Sequence, residues 1–184
     1  MRAGALLLVL ACATGAAHAA PATEAQVGHV VRALHLDAVG ASLTDVMIDN
    51  VPALKALAPS DRECAKGPVR DHLDAEFRRQ LVLGLGEDGA AIMAEWEAFL
   101  PTPAGRGVID AFANATPDTL ASHAAANLDP AGRQALDAFL AGPAFERFLS
   151  AFDADTPTPK DLGVRLARNL QDQCRIALSP DDIS

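Results

Sequence analysis

Apolar residues recur at helical spacing along most of the chain. In the last segment they lie four positions apart, at Leu162, Leu166, Leu170, Cys174 and Leu178. Similar stripes run through residues 27–34, 69–81, 108–112, 136–140 and 145–152. Residues spaced in this way share one face of a helix, and no stretch alternates with period two for long enough to need a strand. The pattern therefore predicts an all-α fold, a single compact bundle of about eight short helices.

Prolines indicate where many of these helices begin. Residues that favour the N-cap position precede a proline at Thr102-Pro103, Thr116-Pro117, Asp129-Pro130 and Thr158-Pro159. Proline suits the first helical position because its φ is already helical and its missing N–H has no partner there. In Gly142-Pro143 the glycine also ends the preceding helix. We expect Pro68 to open a further helix, and Thr23 with Gln26 to form a capping box.

One pattern occurs twice, forty residues apart. The segment Ala98-Phe99-Leu100-x-x-Pro103-Ala104, then Ala111-Phe112, returns as Ala138-Phe139-Leu140-x-x-Pro143-Ala144, then Ala151-Phe152. Repetition at a fixed offset indicates a duplicated helix–turn–helix. We favour the interpretation that both hairpins need the same aromatic anchor at the same turn. The expected structural anchors are Trp96, Phe99, Pro103, Gly105, Phe139 and Pro143.

The first nineteen residues have the features of a signal peptide. Arg2 precedes an apolar run at residues 5–11, which is too short to span a bilayer, and Ala17-His18-Ala19 has the form of a cleavage site. We predict cleavage after Ala19, which leaves residues 20–184 as a single helical domain in the periplasm or outside the cell. The alternative is a membrane-tethered lipoprotein, because Val9-Leu10-Ala11-Cys12 resembles a lipobox that would place a lipid on Cys12.

The charge of the chain argues against two classes of partner. It carries 15 Lys+Arg against 24 Asp+Glu, a formal net charge of −9. Nucleic acids and anionic lipid surfaces attract clustered basic residues, and no basic cluster here is longer than Arg78-Arg79. No further long apolar stretch follows residue 11. We therefore expect neither a nucleic-acid-binding protein nor an integral membrane protein.

Two cysteines remain after the predicted cleavage, Cys64 and Cys174. An even pair in an exported chain indicates a disulfide, and two buried free thiols are the alternative. Closing a loop of this length stabilises a fold by about 4–5 kcal/mol if the bond is unstrained. Because Cys64 lies in a polar stretch, we expect the bond to pin the final helix to the connection before the Pro68 helix.

A literal dinucleotide-binding motif occurs at Gly84-Leu85-Gly86-Glu87-Asp88-Gly89. In a true site the glycines would bring backbone N–H groups against a pyrophosphate. Here Leu81 completes a helical stripe where a strand would be required, and Glu87 and Asp88 would repel phosphate. We therefore predict a turn between helices and no cofactor.

Other candidates for chemistry are weak. His72 and Glu76 share a helix face and could form one edge of a metal site, but two ligands do not close such a site. We favour a solvated acidic face at this place, and expect no specific binding of divalent metal. Serine and cysteine lack the context of a nucleophile, so no catalytic residue is assigned. An enzyme is the less favoured alternative, a hydrolase that would use acidic residues such as Glu95 and Glu97.

The segment Phe99-Leu100-Pro101-Thr102-Pro103-Ala104-Gly105 resembles the domain of unknown function 2059 family of exported bacterial proteins. Leu34-x-Leu36-Asp37 and the following helix to Met47 are similar to that family's first hairpin. The resemblance covers residues 87–152 most firmly. The second copy, Gly142-Pro143-Ala144-Phe145, lacks the later glycine, and the family's usual Lys and Tyr content is missing. The resemblance implies an all-helical envelope protein and brings no catalytic residue with it.

These observations favour a non-catalytic binding protein of the cell envelope. Its partner is either another protein, as for an inhibitor or an immunity-type protein, or a small apolar ligand held between helices. The case for binding depends mainly on the absence of an enzyme signature.

Overall fold

A computed structural model of the chain describes residues 19–152 and 159–183, apart from the side chains of Val39 and Pro117. All regular structure in these residues is helical, which confirms the all-α prediction. None of the described helices is both long and apolar enough to cross a membrane. Most of the predicted signal peptide, and with it the alternative lipidation site Cys12, lies outside the described residues.

The helices are α1 (Glu24–Ala33), α2 (Asp37–Asn50), α3 (Pro52–Lys55), α4 (Pro59–Leu85), α5 (Gly89–Phe99), α6 (Pro103–Asn114), α7 (Leu120–Ala125), α8 (Pro130–Leu140), α9 (Pro143–Phe152) and α10 (Leu162–Cys174). Single 3₁₀ turns occur at Gly86–Asp88, Pro117–Thr119 and Pro180–Asp182.

Several helix starts lie where the sequence predicts them. Thr23 and Gln26 form the expected capping box at α1. The hydroxyl of Thr102 accepts a hydrogen bond from the N–H of Gly105, and the carboxylate of Asp129 accepts one from Gly132. These bonds satisfy N–H groups that the first turn of a helix leaves without a partner. Thr116-Pro117 begins a 3₁₀ turn, which leads directly into α7.

The predictions at Pro68 and Pro159 are wrong. Pro68 lies buried inside α4, a helix of 27 residues, so Cys64 belongs to the same helix and not to a connection before it. Proline cannot donate to the carbonyl of Cys64, a cost that packing of the surrounding turns offsets. Pro159 precedes a turn closed by Leu162, where α10 begins. That helix ends at Cys174 because Arg175 adopts a left-handed conformation, so Leu178 lies beyond it.

The larger hydrophobic cluster, which we call the aromatic core, lies among α1, the C-terminal half of α4 and α5–α9. Trp96 and Phe148 are fully buried at its centre, with ring centroids 4.8 Å apart. Five of the other phenylalanines pack within or against this cluster, and Phe152 lies beside it in contact with Phe77 of α4. The sequence's large side chains are therefore concentrated on one side of the molecule.

The smaller cluster, the aliphatic core, joins α2, α3, the N-terminal half of α4, α10 and the segment after α10. It contains no aromatic residue, and its buried members are Ile48, Leu54, Ala65, Val69, Leu166, Leu170, Ile176 and Ile183. The predicted disulfide joins Cys64 to Cys174 at the edge of this cluster, with a Cα–Cα distance of 5.9 Å. Among the described helices, α4, about 40 Å long, is the one that contributes buried residues to both cores.

The repeated sequence forms two helical hairpins, α5–α6 and α8–α9. Phe99 and its counterpart Phe139 stack face to face, with centroids 3.7 Å apart and planes 2° apart. In addition α5 packs on α9, while α6 packs on α8. In two hairpins related by a local two-fold axis, equivalent residues contact each other, and the first helix of each hairpin packs on the second helix of the other. The contacts of Phe99 with Phe139, and of α5 with α9, fit this arrangement.

The anchors of the repeat hold this arrangement together. Trp96 donates a hydrogen bond from its indole Nε1 to the carbonyl of Ala144 across the hairpins. Pro103 and Pro143 begin the second helix of each hairpin. A Cβ at Gly105 would overlap the carbonyl of Phe99, so this turn is too tight for a side chain.

Candidate functional site

An apolar groove of about 510 Å³ lies between α6, α7 and the α8–α9 hairpin. It is lined by Phe112, Ala115, Leu120, Ala121, Leu140, Phe145 and Leu149. We call it the hydrocarbon groove. Every lining side chain is a hydrocarbon, and Leu149 remains 41% exposed at its rim. The groove can therefore remove an apolar surface from water, but offers no charged side chain to a ligand.

The two-fold relation of the hairpins shows how this groove arises. The second helix of each hairpin is crossed by another helix at a small residue. Gly84 of α4 lies against Ala151 of α9, and Gly107 of α6 lies against Ala124 of α7. The crossing helix has 27 residues in the first case and six in the second. Because α7 is so short, it leaves a concave apolar surface beside α6.

A second cavity of about 200 Å³ lies between α2 and α4. Its lining, in chain order, is Leu36, Gly40, Leu43, Leu73, Asp74, Glu76, Phe77 and Gln80. We call it the acidic cavity, because carboxylates are the only charged groups in an otherwise mainly apolar lining. Leu43 is 50% exposed at its opening.

The two carboxylates of the acidic cavity differ in how they are neutralised. Glu76 is buried and accepts hydrogen bonds from Arg79 on its own helix and from Arg165 of α10. These bonds, those of Arg79 above all, hold the pKa of Glu76 below its usual range. Asp74 accepts no hydrogen bond from the described residues, and its nearest cation, Nε of Arg70, is 4.0 Å away. Burial raises the pKa of Asp74.

The expected solvated acidic face at His72 and Glu76 is wrong, because both side chains are buried. They face α10, whose Arg165 binds Glu76 and lies close to the imidazole of His72. Nε2 of His72 is buried and has no hydrogen-bond partner among the described residues. Burial, followed by the charge of Arg165, lowers the pKa of His72. This pair therefore joins α4 to α10. In the described part of the chain, no group of three metal-ligating side chains is present.

The glycine motif is a helix end, as predicted, and each glycine has its own structural reason. Gly84 allows α9 to approach α4 at Ala151. Gly86 ends α4 with a φ of 68°, which side chains disfavour. Gly89 opens α5 against Ala22, and the adjacent N–H of Ala90 donates to the carbonyl of Ala20.

The acidic residues considered for hydrolysis lie apart from these cavities. Glu95 and Glu97 are exposed on α5, on either side of the buried Trp96. Two residues two positions apart point away from each other on a helix. They line neither the hydrocarbon groove nor the acidic cavity. The structure therefore does not bring them together as an acid and a base.

Comparison of the chain with protein-family models, curated proteins and solved structures finds no match in any of the three. The resemblance to the domain of unknown function 2059 family stays a prediction. What defines the protein is the architecture of its described residues, a disulfide-bonded all-α fold with a groove of hydrocarbon side chains and a cavity whose Asp74 carboxylate accepts no direct hydrogen bond.

The sequence did not reveal either cavity. Phe112, Leu140, Phe145 and Leu149 belong to helical stripes that predict a buried core, and nothing in their spacing separates a groove from a filled core. The available signal was the asymmetry of the repeat, since Phe145 replaces Gly105 in the second copy. That phenylalanine lines the hydrocarbon groove.

Proposed function

We propose that this is an exported, non-catalytic binding protein that holds the hydrocarbon part of a small ligand in the groove between α6, α7 and the α8–α9 hairpin. The observation that supports this proposal is the uniform chemistry of a concave surface of about 510 Å³. Ligand sites in proteins have volumes of about 300–1,000 Å³ and mainly apolar linings. Because the groove is concave and has the volume of a ligand site, we favour a small ligand over an inhibitor or immunity-type role.

An uncharged fluorescent probe, N-phenyl-1-naphthylamine, tests the proposal on the full folded chain. Ala121 is exposed and lines the groove, so Ala121→Trp places a large ring in the groove without disturbing the core. We expect the variant to bind the probe about tenfold more weakly, which corresponds to 1.4 kcal/mol. Ala126→Trp, an exposed position near the end of α7 that does not line the groove, is the matched control and should bind normally. Equal binding by the two variants would refute the proposal.

Export is supported by the sequence features of residues 1–19 and by the disulfide, a bond typical of oxidising compartments. Intact-mass measurement of protein from the cell envelope tests it, because cleavage after Ala19 leaves a chain that begins at Ala20. A lipidated Cys12 would instead indicate the tethered form. Extraction of the same sample, followed by mass spectrometry, would identify a hydrocarbon ligand that remains bound.

A further inference from the structure

We propose that the acidic cavity between α2 and α4 is a second ligand site, which takes a small organic ammonium ion with a hydrocarbon body and pairs it with the carboxylate of Asp74. This site is separate from the hydrocarbon groove, and the two share no lining residue.

The first argument is that the carboxylate of Asp74 has no direct hydrogen-bond donor among the described residues, since its closest basic group is Nε of Arg70 at 4.0 Å. About three quarters of the Asp74 side chain is buried, since 24% of it is exposed. A buried carboxylate normally accepts hydrogen bonds, because losing its water without replacement costs free energy. Asp74 accepts none from the described residues, whereas Glu76 two residues later accepts several. A ligand that donates N–H groups would supply what Asp74 lacks.

The second argument is the surrounding charge. The positive charges of Arg70 and Arg78 favour the ionised form of Asp74. The negative charges of Asp37 and Asp71 oppose ionisation, and burial opposes it more strongly. The net effect of these surroundings is a raised pKa for Asp74. A bound ammonium ion would favour the charged form of this carboxylate directly, at hydrogen-bonding distance, which none of the arginines does.

The third argument is the shape and chemistry of the cavity. Leu36, Leu43, Leu73 and Phe77 provide carbon surface beside Asp74 in a volume of about 200 Å³. The carboxylate reaches α2 only because residue 40 is glycine, since a Cβ there would overlap Oδ1 of Asp74. Charge on one wall and hydrocarbon on the others match a ligand with an ammonium end and a short apolar body. A hydrocarbon alone would leave the carboxylate without a partner.

Three probes of equal length separate these possibilities, namely hexylammonium, hexanol and hexanoate. Their binding to the full chain is followed by the methyl NMR signals of Leu43 and Leu73. We expect hexylammonium to shift these signals at a concentration about tenfold lower than hexanol does, and hexanoate not to shift them, because its charge is repelled by Asp74.

Two variants test the assigned residues. Asp74→Asn should remove the preference for hexylammonium over hexanol, whereas Asp71→Asn, an equal change of charge at an exposed position on the same helix, should keep it. Leu43→Asn should weaken the binding of both hexylammonium and hexanol. It should leave the binding of N-phenyl-1-naphthylamine to the hydrocarbon groove unchanged. If Asp74→Asn binds hexylammonium as tightly as the unaltered protein, or if hexanol binds as well as hexylammonium, the proposal is overturned. Circular dichroism of each variant confirms that it is folded.

Discussion

The two cores of this protein are stabilised by different means. The aromatic core contains Trp96 and six of the seven phenylalanines, and no disulfide or buried ion pair is part of it. The aliphatic core contains no aromatic residue and has the disulfide at its edge, with the ion pair between the buried Glu76 and the partly exposed Arg165 nearby. Large rings bury much apolar area in a small volume, while small aliphatic side chains bury less. The comparison indicates that a covalent bond and ion pairs compensate for a weaker core.

The largest effect is expected in the aromatic core. Trp96→Ala removes a fully buried ring, its contacts with Phe139 and Phe148, and its hydrogen bond to Ala144. We expect a loss of about 3–5 kcal/mol in the free energy of unfolding, because both transfer energy and packing are lost. Urea unfolding followed by circular dichroism measures it. Trp96→Phe, which keeps a ring, should lose less, and equal losses would mean that ring burial is not the cause.

Removal of the disulfide should have the next largest effect, on the other core. The bond closes a loop with a sequence separation of 110 residues. Cys64→Ser and the double variant with Cys174→Ser should lose a similar amount, about 2–5 kcal/mol, because each removes the same cross-link. Reduction should lower the thermal midpoint and leave most helical content intact below it.

Hydrogen exchange can locate this loss. In the reduced protein, amides of α10 should exchange faster, while those of α5 in the aromatic core should change little. A uniform increase along the chain would contradict the view that the two cores are stabilised separately. Two free thiols in the natively purified protein would contradict the bond itself.

The buried ion pair should contribute less than the disulfide. Glu76→Gln keeps the size of the side chain but removes the charge that Arg79 and Arg165 bind. We expect a loss of about 1–3 kcal/mol, because hydrogen bonds to charged groups contribute about this much. Glu63→Gln is the matched control, since Glu63 pairs with Lys66 on the surface at 2.9 Å and surface pairs contribute little. Equal effects of the two substitutions would mean that burial of Glu76 does not matter.

Local signals in the sequence predicted the parts of this fold that depend on neighbouring residues. Caps at Thr23, Thr102 and Asp129 act within one turn, so the sequence contains all that determines them. Pro68 shows the limit, because packing of α4 overrides the local preference of a proline to begin a helix. The disulfide was predictable from the cysteine count and the predicted export, although the place of Cys64 within α4 was not.

The candidate sites could not be predicted for a related reason. The groove lies where α6 is packed against α7, a helix of six residues, whereas α9 is packed against α4, a helix of 27 residues, and the sequence does not show which helices pack together. Similarly, Asp74 and Glu76 look alike in the sequence. They differ because Glu76 accepts hydrogen bonds from Arg79 on its own helix and from Arg165, 89 residues away on α10, whereas Asp74 has only Arg70 at 4.0 Å. The partner on α10 cannot be inferred from the sequence.

The smallest effect we expect is the dependence of stability on pH that His72 causes. His72 faces Glu76 on α4, Arg165 on α10 and Asp161 at the N-cap of α10, and burial together with Arg165 lowers its pKa from 6.5 in the folded protein. A lowered pKa means that the folded state binds the proton less readily than the unfolded chain does. The contribution of neutral His72 is therefore fully present above about pH 6.5, and is lost progressively as the pH falls from there towards the folded pKa.

Urea unfolding at about pH 7.5 and about pH 5.5 measures the contribution of His72 to stability. Glu76 does not interfere in this range, because its pKa is lowered and its contribution to stability is lost only in stronger acid. We expect the unaltered protein to lose free energy of unfolding between these values, and His72→Leu to lose distinctly less. His29→Leu, at an exposed position of α1, should keep the pH dependence of the unaltered protein. Because His72 contacts α10, the loss at lower pH should be accompanied by faster hydrogen exchange in that helix. If His72→Leu and the unaltered protein lose equal stability, the buried imidazole does not contribute to the dependence of stability on pH.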